Sequence, residues 1–328
     1  MKVAFAGLAH SHSLDLLDIV TRSENHTVAG IWEPNPVLRS AVENSSLYTW
    51  FASFQELLEN GNADIIAVGS CFADRGMLTI KALQAGKHVI GDKPICTRTE
   101  ELHEIRNQIK TKNLKLGCML TMRYMQNVLA VRNLLQSGVM GELRTVYYGQ
   151  QHPLFYGKRP AWYFEKDRYG GVINDIAIHG IDLIRFLTGQ RLQSVIAARC
   201  WNAYATQEPD FADCGQFMIS LNNGAGVLAD VSYSIPSAVG YAFPTHWELF
   251  FERGIIRFFL NGSPAHVWNE GKKDPVLLEG IPPQTDFWND FINEIQGKPS
   301  GILCTEEILT STEDTLQIQE YADRQVEW

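Results

Sequence analysis

A chain of 328 residues has room for about two domains, and at this size it buries a core without needing a disulfide or metal to hold it. Hydrophobic residues make up 45% and charged residues 20%, which excludes a disordered or fibrous protein. Lys and Arg number 28 against 37 Asp and Glu, and a net charge of −9 argues against nucleic acid or an anionic membrane surface as the partner.

No stretch approaches the roughly 20 apolar residues of a membrane span. The apolar run from Val3 to Ala9 stops at His10 with no cleavage segment after it, so it reads as a buried strand rather than a signal peptide. The six cysteines are scattered, with no CxxC pair, and most lie in apolar runs. A reduced, cytoplasmic protein is the expectation.

The first 120 residues alternate. Val3–Ala6 is a strand closed by Gly7, and a helical stretch with Leu14, Leu17 and Ile19 follows. Val28–Trp32 is a second strand, and Pro36 opens a helix through Val42. Ser53 with Glu56 reads as a capping box before Leu57. Ile65–Val68 is a third strand, Met77–Ala85 a helix stopped by Gly86, and His88–Ile90 a fourth strand. Thr97 with Glu100 reads as another capping box, before a helix to about Thr111, and Leu114–Leu120 closes the series. Apolar strands separated by helices predict a parallel sheet covered on both faces, a doubly wound domain of the nucleotide-binding type.

Beyond residue 121 the rhythm changes. A helix at Val128–Leu135 precedes a strand near Leu143–Gln150 and then a polar, aromatic stretch and a long apolar helix. Strands follow at about 192–202, 214–221, 226–234, 246–251, 254–260 and 264–268, with turns at Asn222-Asn223-Gly224 and Arg253-Gly254. Helices near 286–296 and 305–324 end the series. The fold class is therefore α/β, a Rossmann domain over 1–122 and an α/β domain with a large, mainly antiparallel open sheet over 123–328. The last helices are free to pack back on the first domain.

In an open parallel sheet the ligand lies beyond the carboxyl ends of the strands. There the loop Gly7-Leu8-Ala9-His10-Ser11-His12 keeps one clear glycine of G-x-G-x-x-G. Ala9 stands where the chain approaches a pyrophosphate, and His12 where helix and strand pack. Glu33, at the end of the second strand, suits a ribose 2′-hydroxyl and repels a 2′-phosphate; an exposed acid at a strand end reads equally well. His10 and His12 without a third ligand nearby read as a polar turn facing cofactor phosphates, and no metal is expected. Ser70 ends the third strand on the same side.

Two segments carry the chemistry. Gly170 to Leu187, read as an α-helix, sets Asp175, His179 and Asp182 on one stripe of an otherwise apolar surface. A histidine held by a carboxylate is an acid or base near neutral pH; a helix cap and a core histidine are the alternative. The second segment is Ala85-Gly86-Lys87-His88-Val89-Ile90-Gly91-Asp92-Lys93-Pro94, which places Lys93 after a central strand. The stretch Gln150–Tyr169 borders the expected substrate position, and His152, Arg159, Trp162 and Tyr163 offer hydrogen bonds and a stacking face. Arg123 and Tyr124 stand at the domain junction, within reach of either ligand.

Together Ala85–Pro94 and Gly170–Asp182 resemble the paired motifs A-G-K-H-V-x-x-E-K-P and G-G-x-x-x-D-x-x-x-H-x-x-D of the Gfo/Idh/MocA family, with Gly138–Leu143 similar to its G-x-I-G-E-L. The sequence departs from the pattern at Ala9 and His12, at Asp92 in place of Glu, and at Ser70–Arg75, which lacks the usual Pro and His. The resemblance implies an NAD(P)-dependent dehydrogenase, with NAD ahead of NADP on the strength of Glu33, acting on a secondary alcohol of a sugar, polyol or related small molecule. It places the catalytic roles on Lys93, Asp175 and His179, the cofactor contacts on Gly7, Leu8, Ala9, His10, His12, Glu33, Ser70, Lys93 and Pro94, and it allows a cis bond before Pro94. If a 2′-phosphate were accepted instead, Arg39 or Arg75 would be its partner. The resemblance also implies a homo-oligomer, dimer or tetramer, and the sheet face with Phe250, Phe258 and Trp268 is expected to be covered by it. An NAD-dependent glycosidase of the same fold and a non-catalytic dinucleotide sensor are the rival readings.

Overall fold

The computed structural model describes residues 1–42, 45–242 and 245–325. They form two compact units. The first is Met1–Met119 with Asp167–Gly170 and Phe287–Thr312; the second is Leu120–Lys166, Gly171–Asp286 and the chain from Glu313. Residues 120–122 thus go with the second unit, and two later segments go with the first.

The first unit is built on β1 (Lys2–Ala6), β2 (Thr27–Trp32), β3 (Ile65–Val68), β4 (His88–Gly91) and β5 (Leu116–Cys118), all parallel, in the order β2-β1-β3-β4-β5. Val3–Ala6 and all of β3 are buried, as a sheet sandwiched by helices requires. The helices are α1 (Ser11–Thr21), α2 (Pro36–Ala41), α3 (Phe54–Asn60), α4 (Phe72–Gln84) and α5 (Thr99–Lys112). The chain order reverses between β1 and β3, which sets the ligand crevice at the carboxyl ends of those strands.

Three local expectations are corrected. Helix α4 starts at Phe72, not Met77, and buries Arg75 at the close of its first turn. Helix α5 starts at Thr99 with Arg98 at its cap and no side-chain capping bond, so Thr97 and Glu100 form no capping box. Thr97 instead packs where only a glycine fits, at Gly170. Ser53 does cap α3 by accepting from the Glu56 amide at 3.1 Å, but Glu56 reaches back to the Ala52 amide, one residue beyond the box.

In the second unit come α6 (Gln126–Gln136), β6 (Leu143–Pro153), the single turn α7 (Lys166–Tyr169), which crosses into the first unit, and α8 (Ile178–Thr188). The strands β7 (Leu192–Trp201), β8 (Cys214–Leu221), β9 (Gly226–Ile235), β10 (His246–Phe251), β11 (Gly254–Phe259), β12 (Ala265–Asn269) and β13 (Val276–Leu278) join β6 in one sheet. Its order is β13-β12-β11-β10-β6-β9-β8-β7. Among the described strands β6 and β9 pair in parallel and the other neighbours antiparallel. The sequence reading omits β13, three residues long behind a charged turn.

The inner face of this sheet is aromatic. Tyr148 stacks on Trp247 with ring centres 4.4 Å apart, and Trp247 on Phe258 at 5.7 Å. Phe258 pairs with Trp247 in register and is fully buried, which corrects its expected place on the open face; Phe250, of opposite parity to Trp247, is half-buried on the other side. That outer face exposes Tyr147, Ile196, Met218 and Leu228.

The last helices are α9 (Phe287–Ile295) and α10 (Thr305–Asp323). Helix α9 belongs to the first unit, where Phe291 covers Gly117 of β5. Thr305 opens α10 and accepts from the Leu116 amide at 3.0 Å. Among the described residues no helix is long and apolar enough to cross a membrane.

Candidate active site

In the first unit the loop after β1 is held on three sides. Gly7 has φ +87° and its Cα lies so close to the Ser70 backbone that a Cβ would sit 2.8 Å from it. The Ala9 amide donates to the Gly69 carbonyl at 2.8 Å. The Leu8 amide donates to Glu33 Oε2 at 2.6 Å, while Glu33 Oε1 accepts from the Asn35 amide at 2.8 Å. Glu33 is therefore not an exposed acid: it is buried, and both its oxygens fasten backbone.

Asp92 at the end of β4 gathers three side chains. His10 Nδ1 lies 3.1 Å from one carboxylate oxygen and His12 Nδ1 2.8 Å from the other, and Arg75 donates to it at 3.1 Å. Arg75 is fully buried and spends its other hydrogens on the carbonyls of Ser70, Asp92, Lys93 and Pro94. One guanidinium thus shapes the whole turn that carries Lys93, whose bond to Pro94 is cis. It is not available to a 2′-phosphate. Burial alone would raise the Asp92 carboxyl, but Arg75 with His10 and His12 holds it well below its ordinary value. Burial pushes His10 down to about 3 despite the Asp92 charge, so its ring is neutral at pH 7.

His10, His12 and Asp92 offer three ligand atoms within 4.8 Å of one another, a set the sequence spacing hides because Asp92 is remote in the chain. Arg75 already neutralises Asp92, and Lys93 adds a second positive charge beside His10. A cation there would face two fixed ones, so the trio reads as a hydrogen-bonded tie between the β1 and β4 loops. Lys93 itself is buried, its ammonium 5.9 Å from the centre of the Phe72 ring.

In the second unit the helix bearing Asp175 and His179 begins as a π-helical turn, Ile173–Ala177, before α8. The Ile178 amide reaches back five residues to Ile173. Gly171, at φ +98°, lets Gln319 lie against it, and the Gln319 amide oxygen accepts from Ile173 and Asn174 in place of a cap. Because of the π turn the three polar residues are not one straight stripe. Asp182 takes the buried guanidinium of Arg123 at 2.6 and 2.8 Å. Asp175 accepts instead from the hydroxyl of Tyr233 on β9. Asp175 is no helix cap, since it lies inside the turn, and with His179 it is buried.

Arg123, expected at a ligand, is corrected by this pairing: it is fully buried and committed to Asp182. Tyr124 is half-buried. Trp162 and Tyr163 are buried against each other with ring centres 4.5 Å apart, so neither offers the open stacking face expected of it. The Tyr163 hydroxyl lies 3.5 Å from Arg159, and His152 sits edge-on to Tyr233 and Tyr241. The structure thus brings Asp175, Tyr233, Arg159, Tyr163, His152 and Tyr241 into one neighbourhood. Tyr233 and Tyr241 escape the sequence reading. For Tyr233 the signal was available, since it falls on the inward parity of β9 with Val227, Ala229 and Val231.

The first unit suits a nicotinamide dinucleotide on its own geometry. A glycine with positive φ opens the turn into an eleven-residue helix at the crevice between β1 and β3, where a pyrophosphate meets a helix N-terminus. Such a unit, joined to one whose helix presents a buried Asp-x-x-x-His, defines a dinucleotide-dependent oxidoreductase.

The comparisons narrow the class. Residues 1–120 match the model described as oxidoreductase family, NAD-binding Rossmann fold, and residues 128–257 match the GFO/IDH/MocA C-terminal domain. The chain belongs to the Gfo/Idh/MocA family of oxidoreductases. Inositol 2-dehydrogenase of Rhizobium meliloti (strain 1021) is 27% identical over 281 residues, which cover 80% of this chain and 78% of that protein. D-xylose dehydrogenase of Paenarthrobacter nicotinovorans is 22% identical over 211 residues, 60% of this chain and 54% of that one. A solved oxidoreductase structure from Thermotoga maritima, 23% identical, superposes over 98% of both chains with a TM-score of 0.86 and shares the fold.

Proposed function

We propose that the protein oxidises a secondary alcohol of a sugar, polyol or related small molecule with NAD. The observation that carries this reading is the buried Asp175-x-x-x-His179 pair, with Tyr233 donating to Asp175, in a chain of this family. The names of the relatives, inositol 2-dehydrogenase and D-xylose dehydrogenase, support the substrate class. The nicotinamide, when bound, accepts the hydride. His179 takes the hydroxyl proton, Asp175 orients the imidazole, and the Lys93 ammonium stabilises the charge that develops on oxygen. Gly7, Leu8, Ala9, His10, His12, Ser70 and Pro94 border the cofactor. The negative charge of Glu33 supports NAD over NADP.

A screen of polyols, sugars and sugar acids with NAD and with NADP, followed at 340 nm, tests the reading. Reduction of NAD by one of these alcohols is the expected result; a screen without turnover, in enzyme that binds NADH, counts against it. The apolar outer sheet face supports association of copies through it, and light scattering giving a 37.0 kDa particle would refute that.

A further inference from the structure

We propose that the substrate carries an anionic oxygen group, a carboxylate or a phosphate, and that Arg159 binds it. The proposal rests on the dehydrogenase reading and narrows it from neutral polyols to acidic sugar derivatives.

Both fully buried arginines hold a carboxylate, Arg75 that of Asp92 and Arg123 that of Asp182. Arg159 is half-buried and, among the described residues, has no carboxylate within 4.0 Å. Its nearest partners are backbone carbonyls and phenols, and Asp175, the carboxylate that acts on it, lies beyond ion-pair distance. Nε donates to the Leu154 carbonyl at 3.0 Å and one terminal nitrogen to the Pro153 carbonyl at 3.4 Å, which fix the guanidinium plane against the end of β6. The other terminal nitrogen lies 3.5 Å from the Tyr163 hydroxyl. A guanidinium has five N–H donors. Three are accounted for by these contacts, two of them long. The remaining two belong to the terminal nitrogens, the fork that grips a carboxylate or phosphate with two parallel bonds.

The position fits a substrate group. The guanidinium carbon is 4.8 Å from the centre of the Tyr163 ring and 5.6 Å from that of Tyr233. The hydroxyl of the same Tyr233 is bonded to Asp175. Arg159 and Asp175 therefore stand on either side of one phenol and form no ion pair, a cation for the anionic end and a carboxylate for the hydroxyl end of one small acid. His152 flanks the same ring edge-on.

The test uses NADH-loaded enzyme and calorimetric titration with D-gluconate and D-glucuronate, with D-glucose 6-phosphate, and with neutral D-glucose and myo-inositol. The anions are expected to bind at least tenfold more tightly than the neutral sugars, and the carboxylate and phosphate arms separate the two sources of charge. Arg159→Gln is expected to weaken the anions by roughly tenfold to a hundredfold and to remove their advantage over the neutral sugars. Arg159→Lys should fall between, since it keeps the charge and loses the fork. Thermal melts confirm that the variants fold; if the Gln variant does not, the wild-type preference and the Lys variant still decide. Neutral sugars binding as tightly as acids, anion binding that survives Arg159→Gln, or no anion binding at millimolar concentration overturns the proposal. Anions that bind through Arg159 without being oxidised would leave the anion site standing and sink the dehydrogenase reading.

Discussion

Tyr233 donates its hydroxyl hydrogen to Asp175 from the opposite side of the layer, β9 to the π-helical turn, and both groups are buried. A buried carboxylate needs such donors, and each is worth about 1.5–3 kcal/mol. Tyr233→Phe leaves the ring and removes the donor. Turnover is expected to fall about tenfold or more while NADH affinity changes little, because Tyr233 belongs to the second unit and the nucleotide-binding strands to the first. Steady-state kinetics beside fluorescence titration with NADH decides this, and an unchanged kcat would make the contact purely structural.

Lys93 and His179 are assigned to one reaction, so their losses should not multiply. Lys93→Ala should lower turnover by on the order of a hundredfold, a larger loss than it causes in NAD binding. His179→Ala should remove the acid limb of the pH–rate profile, since the base no longer titrates. The double variant should lose far less than the product of the two. Near-normal turnover in both single variants would remove the assignment.

Arg75 predicts a stability effect. Arg75→Ala leaves the Asp92 carboxylate buried without its cation, and four backbone carbonyls lose a donor. A loss of about 3–5 kcal/mol is expected in urea unfolding. Arg75→Lys restores a charge but not the fork, and should recover only part of it.

Glu33 predicts a cofactor effect of a particular kind. Its oxygens accept from Leu8 and Asn35, so Glu33→Gln sets an amide NH2 against one of two backbone donors. Both NAD and NADP should bind more weakly, NAD by the larger factor because the charge that disfavours a 2′-phosphate is lost, measured by calorimetry. A change confined to the ratio of the two would mean that the carboxylate meets the ribose directly.

Asp314 on α10 predicts a pH effect. Burial raises its carboxyl from 3.8 to about 6, with Glu313 adding to the rise and the Leu192 amide, Arg191 and Arg185 opposing it. The folded state then holds the proton more tightly than the unfolded chain. Stability from this group is present below pH 3.8 and is lost as pH rises to 6. Asp314→Asn should therefore be more stable than wild type at pH 7, by about 1–3 kcal/mol, and equal to it near pH 4. Urea midpoints across that range give the answer, and a constant difference would refute it.

Much of this architecture was legible in the sequence. The strands β1 to β4 show as unbroken apolar runs, and β7 to β12 show because turn residues separate them. Lys93, Asp175 and His179 stand out in the sequence because local motifs hold them, and the structure buries all three. What stayed hidden is what depends on partners remote in the chain. Nothing near Arg123 announces Asp182, and nothing near Glu33 announces the Leu8 amide. The π turn is equally silent, because it is stabilised from outside by Gln319 rather than by the residues that form it. The early start of α4 was hidden by its missing side-chain cap, and with it the inward position of Arg75.

The first unit takes its chain from three stretches rather than one, with Phe291 covering Gly117 and Thr305 bonded to Leu116 from the far end of the sequence. A gene cut after residue 122 would encode the five strands but not their cover on the β5 side. The dinucleotide unit of this protein is therefore not a cassette. Recombination that exchanges the N-terminal half alone would trade away a matched surface, so a chimera must carry the α9 segment along with the strands it protects.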